Sequence, residues 1–386
     1  MKATLFTVKP VVLALLLACG PAAASTASAP MVIDPNIRTE YETAALTRLA
    51  GDIRHPWALA FVGSDKWLVS AREEGLFIVE NGITHAVSGG PAFYATNQGG
   101  MLDLVTHPNF AENGYIYLSY SKGDSDASTV ALARARLEGQ RLVDLETIFE
   151  SNTYTEPGRH YGAKIAFLND GTLLMSIGDR GAEPKRAQDT QDHSGSIVRL
   201  NDDGSTPEDN PFVGREGYAP EIYSYGHRNI QGIIQHPETG DIWVTEHGPR
   251  GGDELNRIEP GENYGWPIVT LGRDYGTEGP FPDAESRRHP DMTSPVFEFL
   301  PTLAPSGLAV LEGDQFGHWQ GNLLAGGLSA ERILRIVLED REVIHIEELL
   351  LGEIGRIREV RQGPDGHVYI LSDEEDGGLY RLSPAE

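Results

Sequence analysis

The stretch from Tyr223 to Pro267 concentrates more chemistry than any core strand requires. It holds the pair Arg228-Asn229 between Gly226 and Gly232, the turn Gly248-Pro249-Arg250-Gly251-Gly252, the acids Asp253-Glu254 and the aromatic close Tyr264-Gly265-Trp266. A guanidinium matches the fork of a carboxylate, and glycines let a ligand approach the backbone closely. Carboxylates and free carbonyls suit a hard cation such as calcium. The segment therefore reads as a place where an anion and a cation meet. Outside it, Arg356 and Arg358 alternate on an expected strand and share one face. An exposed strand edge would also account for those two. A histidine suits the role of proton acceptor, because an imidazole titrates near neutrality. His55, His107 and His236 each precede a proline at a turn, and their reading is structural.

Short strands must carry these groups. Beyond about residue 40, polar turns recur ahead of alternating apolar runs. Gly63-Ser64-Asp65 precedes Trp67-Leu68-Val69, Glu112-Asn113-Gly114 precedes Tyr115–Leu118, and Asn169-Asp170-Gly171 precedes Leu173-Leu174-Met175. Glu238-Thr239-Gly240, Gln320-Gly321-Asn322 and Pro364-Asp365-Gly366 continue the series. These are hairpin signals, and six unevenly spaced units predict an all-β, six-bladed propeller with inserted loops at its mouth. A large irregular sandwich is the alternative. The longest insertions, near 180–220 and 265–300, are the expected walls of a site.

A chain of 386 residues, 40% of them hydrophobic, can bury a large core as one domain. The first 24 residues read as an export signal: Lys2 and Lys9, an apolar run Val11–Ala18, and Ala22-Ala23-Ala24 as a cleavage site. Residues 25–40 are expected as a mobile linker and 41–386 as the propeller. The single cysteine, Cys19 in Leu16-Leu17-Ala18-Cys19, resembles a lipobox and would tether the protein to a membrane by lipid; a chance cysteine is the alternative. Either way the mature chain is expected in the periplasm or secreted. Loss of Lys2 and Lys9 takes the net charge from −26 to −28, which argues against nucleic acid as a partner.

Six motifs in order carry a resemblance over nearly the whole mature chain. They are Gln98-Gly99-Gly100-Met101-Leu102-Asp103, His160-Tyr161-Gly162, Gly226–Gly232, His247–Glu254, Glu262–Pro267 and Gly355–Arg358. The chain resembles the soluble aldose sugar dehydrogenases dependent on pyrroloquinoline quinone (PQQ), within the glucose/sorbosone dehydrogenase group. Hydride transfer from a sugar hydroxyl needs a base and an electron sink, and no side chain can be the sink. No GxGxxG stands between a strand and a helix, which argues against a nicotinamide dinucleotide. PQQ carries three carboxylates, which Arg228, Arg356 and Arg358 suit.

The resemblance implies His160 as general base. It implies cofactor contacts at Gln98, Arg228, Asn229, Tyr275, Gly327, Leu328, Ser329, Arg356, Ile357 and Arg358. Calcium is implied at Gly248, Pro249, Glu254 and Tyr264. The expected substrate is an aldose oxidised at C1 to a lactone, with an electron acceptor that the sequence does not identify. Two departures stand out: Ser329 replaces a lysine common in the group, and His160-Tyr161-Gly162-Ala163-Lys164 replaces His-x-Gly-Gly-Arg. Ser329 would weaken cofactor binding unless Lys164 or Arg332 supplies the missing charge. A calcium-dependent propeller lactonase and a non-catalytic sugar-binding propeller remain as other readings.

Overall fold

The six polar turns all occupy the same place in the architecture. Each joins the innermost strand of a blade to the second strand, and the run after it is buried along nearly its whole length. The computed structural model describes residues 29–156 and 158–385. The expected export signal and Cys19 lie outside them.

The first four-stranded blade is β3 (Pro56–Gly63), β4 (Lys66–Ala71), β5 (Gly75–Glu80) and β6 (Ile83–Val87). The second is β7 (Met101–Thr106), β8 (Tyr115–Gly123), β9 (Ser128–Glu138) and β10 (Arg141–Glu150). The third is β11 (Gly162–Phe167), β12 (Leu173–Ile177), β13 (Ser196–Leu200) and β14 (Ile222–Tyr225). The fourth is β15 (Ile230–Gln235), β16 (Ile242–Glu246), β17 (Asp253–Ile258) and β18 (Phe297–Phe299). The fifth is β19 (Pro305–Val310), β20 (Leu323–Gly327), β21 (Arg332–Glu339) and β22 (Glu342–Leu349). The innermost strands β3, β7, β11, β15 and β19 touch in sequence, and β23 (Ile357–Gln362) closes the ring between β19 and β3.

The sixth blade draws on both ends of the chain. β23, β24 (Val368–Ser372) and β25 (Leu379–Pro384) pair onward to β2 (Thr43–Ala50) and then β1 (Met31–Arg38). The expected mobile linker at 25–40 is thus corrected for 31–38, which form a fifth strand on this blade. The reason is local. Apolar Ile33 and Ile37 pack on the core beside Leu46 and Leu382. The linking turn is held by Glu40, whose carboxylate accepts from the fully buried Arg335 at 2.9 Å.

Inner strands also carry a charged plug in the central channel. Lys164 Nζ donates to Glu359 Oε2 at 2.5 Å and lies 3.4 Å from Asp103 Oδ1. Arg361 reaches Glu359 Oε2 at 3.2 Å, and Ile165 N donates to Asp103 Oδ2 at 2.7 Å. Burial pushes the Asp103 carboxyl up, while Lys164 and Arg361 hold it down. Each of these four charges meets an opposite one. Lys164 is therefore committed to the channel.

Candidate active site

Above the plug, loops from several blades enclose a cavity of about 660 Å³. Of the sequence candidates, Gln98, His160, Arg228, Asn229, Tyr275, Leu328, Arg356 and Arg358 line it. Asp179, His247, Trp57, Trp266, Asp373 and Arg72 also line it, and motif reading alone gave them no role.

His160 sits at φ +52°, a left-handed conformation that costs a non-glycine residue about 1–2 kcal/mol. Its backbone is held on both sides. The His160 N–H donates to Gln98 Oε1 at 2.8 Å, and its carbonyl occupies the space where a Cβ on Gly178 would stand. The ring is fixed too: Nδ1 donates to Asp179 Oδ1 at 2.6 Å, while Trp266 Nε1 donates to Asp179 Oδ2 at 2.8 Å. Burial lowers the imidazole pKa, the charges of Arg228 and Arg159 lower it further, and Asp179 opposes them. Burial works against Asp179 ionising, but His160, Arg228 and the Trp266 N–H outweigh it and keep the carboxylate charged. The result is a neutral imidazole with its proton on Nδ1 and, among the described residues, no hydrogen-bond partner on Nε2.

His247 is a second neutral imidazole. Burial pushes its pKa down to about 4, with Asp253 opposing and Arg228 assisting, and Nε2 donates to Pro305 O at 2.6 Å. Asn229 contributes mainly as a tie, since its Oδ1 accepts from Gly162 N at 3.0 Å.

Across the cavity, Arg358 Nη2 donates to Asp373 Oδ2 at 2.6 Å, and Arg356 lies 3.4 Å from the same oxygen. His55 meets Asp373 Oδ1 at 3.0 Å, which adds a cavity contact to its structural role at the turn. Burial disfavours the Asp373 carboxylate, yet Arg358 and Arg356 hold its pKa far below the usual range. Arg358 lies over Trp57, and Arg228 over Trp266, with guanidinium carbons 5.7 and 5.3 Å from the ring centres. Arg228 and Arg358 each keep a buried Nε without a partner among the described residues. Such orphan donors on charged groups fit an anionic ligand bearing several carboxylates.

Some expected contact residues lie off the cavity lining. Gly327 and Ile357 are buried strand residues outside the cavity lining, and Ser329 is exposed on the turn after β20. Of residues 327–329 only Leu328 lines the cavity. Neither proposed replacement for the missing lysine reaches the site. Lys164 is held in the channel, and Arg332 is bound to Ala330 O and Glu348.

The candidate calcium residues lie behind His247. The Gly248 N–H donates to Asp253 Oδ1 at 3.0 Å, and a side chain at Gly248 would collide with the carbonyls of Gly251 and Gly252. Glu254 stands between Glu246 and Glu298 on paired strands. Burial, then Glu246, then Glu298 and Asp253 push its pKa up to about 8, against one donor, Asn256 Nδ2, at 3.0 Å. Asn256 Oδ1 is itself buried without a partner among the described residues. Tyr264 stacks on His227, 4.6 Å between ring centres, and His227 bonds Glu246. Among the described residues no three His, Cys, Asp or Glu side chains converge as a metal cluster, so a cation here would depend on carbonyls besides Glu254. The orphan oxygen and underpaired carboxylate are compatible with a hard cation.

Comparison with known proteins agrees with this geometry. The family model described as Glucose / Sorbosone dehydrogenase matches residues 53–381. The aldose sugar dehydrogenase YliI of Escherichia coli K12 is 37% identical over 342 residues, covering 87% of this chain and 92% of that protein. The apo-form structure of the soluble aldose sugar dehydrogenase from E. coli superposes with a TM-score of 0.85 at 37% identity, over 89% of this chain and 100% of that one. The PQQ-bound aldose sugar dehydrogenase of Streptomyces coelicolor gives 0.73 at 26% identity, over 93% and 99%. On these matches, the chain belongs to the glucose/sorbosone dehydrogenase family.

Proposed function

We propose that this protein oxidises the C1 hydroxyl of an aldose to a lactone, with His160 as general base and PQQ as electron acceptor. Family membership makes it an oxidoreductase acting on sugars. One observation carries the finer reading: a neutral, oriented imidazole and a wall of under-partnered guanidiniums share one cavity. A neutral lactone would need no such wall, so the hydrolase reading loses ground.

In this reading His160 Nε2 takes the hydroxyl proton of the sugar as the C1 hydrogen departs with its electron pair. Asp179 holds the ring by Nδ1 and stabilises the imidazolium that forms. Bound PQQ supplies the two-electron acceptor. Arg228, Arg356 and Arg358 hold its carboxylates, and Trp57, Trp266 and Leu328 bound the cavity around it. Calcium would be held by Glu254 with backbone carbonyls of the Gly248-Pro249 and Tyr264 segments, where it would offset a buried charge. The N-terminal signal supports a site of action outside the cytoplasm, which cell fractionation would test.

The test is reconstitution. Apo-protein given PQQ and calcium should reduce an artificial electron acceptor when an aldose is added. Sugar-independent reduction, or none with any aldose, would remove the reading.

A further inference from the structure

We infer that Arg72 is a fourth guanidinium of the cofactor-binding wall, contacting the anionic ligand directly from the opening of the first blade. The inference rests on the PQQ reading above. The arginines and aspartates lining the cavity are Arg72, Arg159, Arg228, Arg356 and Arg358 against Asp179, Asp274 and Asp373. Five cations face three anions. The surplus is a local inversion in a chain of net charge −26.

Within that surplus Arg72 is poorly compensated. Its one acidic contact is Glu73, at 3.4 Å, and its Nε is buried with no partner among the described residues. Asp373, which feels the Arg72 charge, is already engaged by Arg358, Arg356 and His55. The Arg72 side chain is only 16% exposed, so water does not substitute freely. A cation in that state calls for an anion.

The backbone shows that the position is built. Arg72 N donates to His55 O at 3.1 Å, and Arg72 O accepts from Met101 N at 2.9 Å. Gly100, at φ +153°, lies so close to the Arg72 carbonyl that any Cβ would collide with it. The Gln98-Gly99-Gly100-Met101 motif thus locks two things at once: Gln98 positions His160, and Gly100 lets the second blade clamp Arg72. Because backbone groups do the clamping, truncating the side chain leaves the anchor in place.

The experiment is an equilibrium titration of apo-protein with PQQ, read by quenching of tryptophan fluorescence, since Trp57 and Trp266 line the cavity. Arg72→Ala should bind PQQ about tenfold or more weakly, as loss of a charge-assisted contact requires. Arg72→Lys should recover part of that loss. Arg72→Gln keeps a polar side chain and reads the charge alone should the alanine variant fail to fold. A loss of less than about fivefold in a folded Ala or Gln variant overturns the inference. A purely structural role would lower the apo-protein's melting temperature and leave Kd in place, which also overturns it. If the parent itself does not bind PQQ, the cofactor reading falls and takes this one with it. A parent that binds and an Arg72→Ala that binds equally sinks Arg72 alone.

Discussion

Two sets of buried charges lie one above the other on the same ring of inner strands, and they are finished differently. In the channel plug, Lys164, Arg361, Asp103 and Glu359 satisfy one another. In the cavity above, Arg72, Arg228 and Arg358 each keep a buried nitrogen that is unpaired among the described residues. Burial of charge alone therefore does not mark the site, because Lys164, Asp103 and Glu359 of the plug are at least as buried. Incompletely met demand among groups that line a cavity marks it. A closed network serves the fold, and an open one awaits a ligand.

Breaking the plug should give the largest effect. Lys164→Met leaves Asp103 and Glu359 with Arg361 as the remaining cation between them, and should cost about 3–5 kcal/mol of stability in denaturant unfolding. A loss under about 1 kcal/mol would show that the two networks do not differ as described. In the cavity, His160→Ala should leave PQQ binding largely intact and lower turnover about a hundredfold or more, checked by steady-state kinetics on reconstituted protein. Arg358→Ala should weaken PQQ by about 1.5–3 kcal/mol in the same fluorescence titration. Its apo-protein should lose less stability than Lys164→Met, and the reverse order would erase the contrast.

Asp179→Asn sharpens the comparison through pH. Asp179 raises the His160 pKa against burial and Arg228, so its removal lets that pKa fall further. The acid limb of the rate profile should move to lower pH, and the plateau should drop because the ring loses its orienting acceptor. A limb that stays or moves upward would disconnect the pair. The smallest effect belongs to Ser329→Lys. Ser329 is exposed and off the cavity lining, so PQQ affinity should change by less than about threefold. A larger gain would mean that the turn after β20 folds over the bound cofactor.

The architecture was largely legible because each blade repeats one turn. Glycine and asparagine or aspartate supply the turn conformations, and alternation then assigns a face, as at Asp170-Gly171 and Asp365-Gly366. β1 was not legible, since Met31–Arg38 is a largely exposed strand and its anchor, Arg335 to Glu40, spans 295 residues. In the site, glycine-flanked Arg228 and the alternating Arg356 and Arg358 announced themselves. Asp179, Asp373 and Arg72 did not. They stand in loops between the second and third strands of three blades, and only ring closure brings them to one cavity. A signal was available at Gly178-Asp179-Arg180-Gly181, an acid between glycines directly after an apolar strand. Strand alternation explains why Ile357 missed the lining while its neighbours reached it.

The sixth blade has a consequence in time. β23 to β25 lie beside β2 and β1, so strands more than 300 residues apart must meet before this blade exists. Arg356 and Arg358 sit at the entry to β23, and Arg72 and His160 on other blades. A growing chain therefore carries its base and Arg228 well before it can hold an anion between walls. Pairing of such distant strands is slow, and a ligand that binds only the closed ring favours closure by mass action. The cofactor would thus act as a clasp as well as an oxidant, and whatever loosens the first strands from the last should release it.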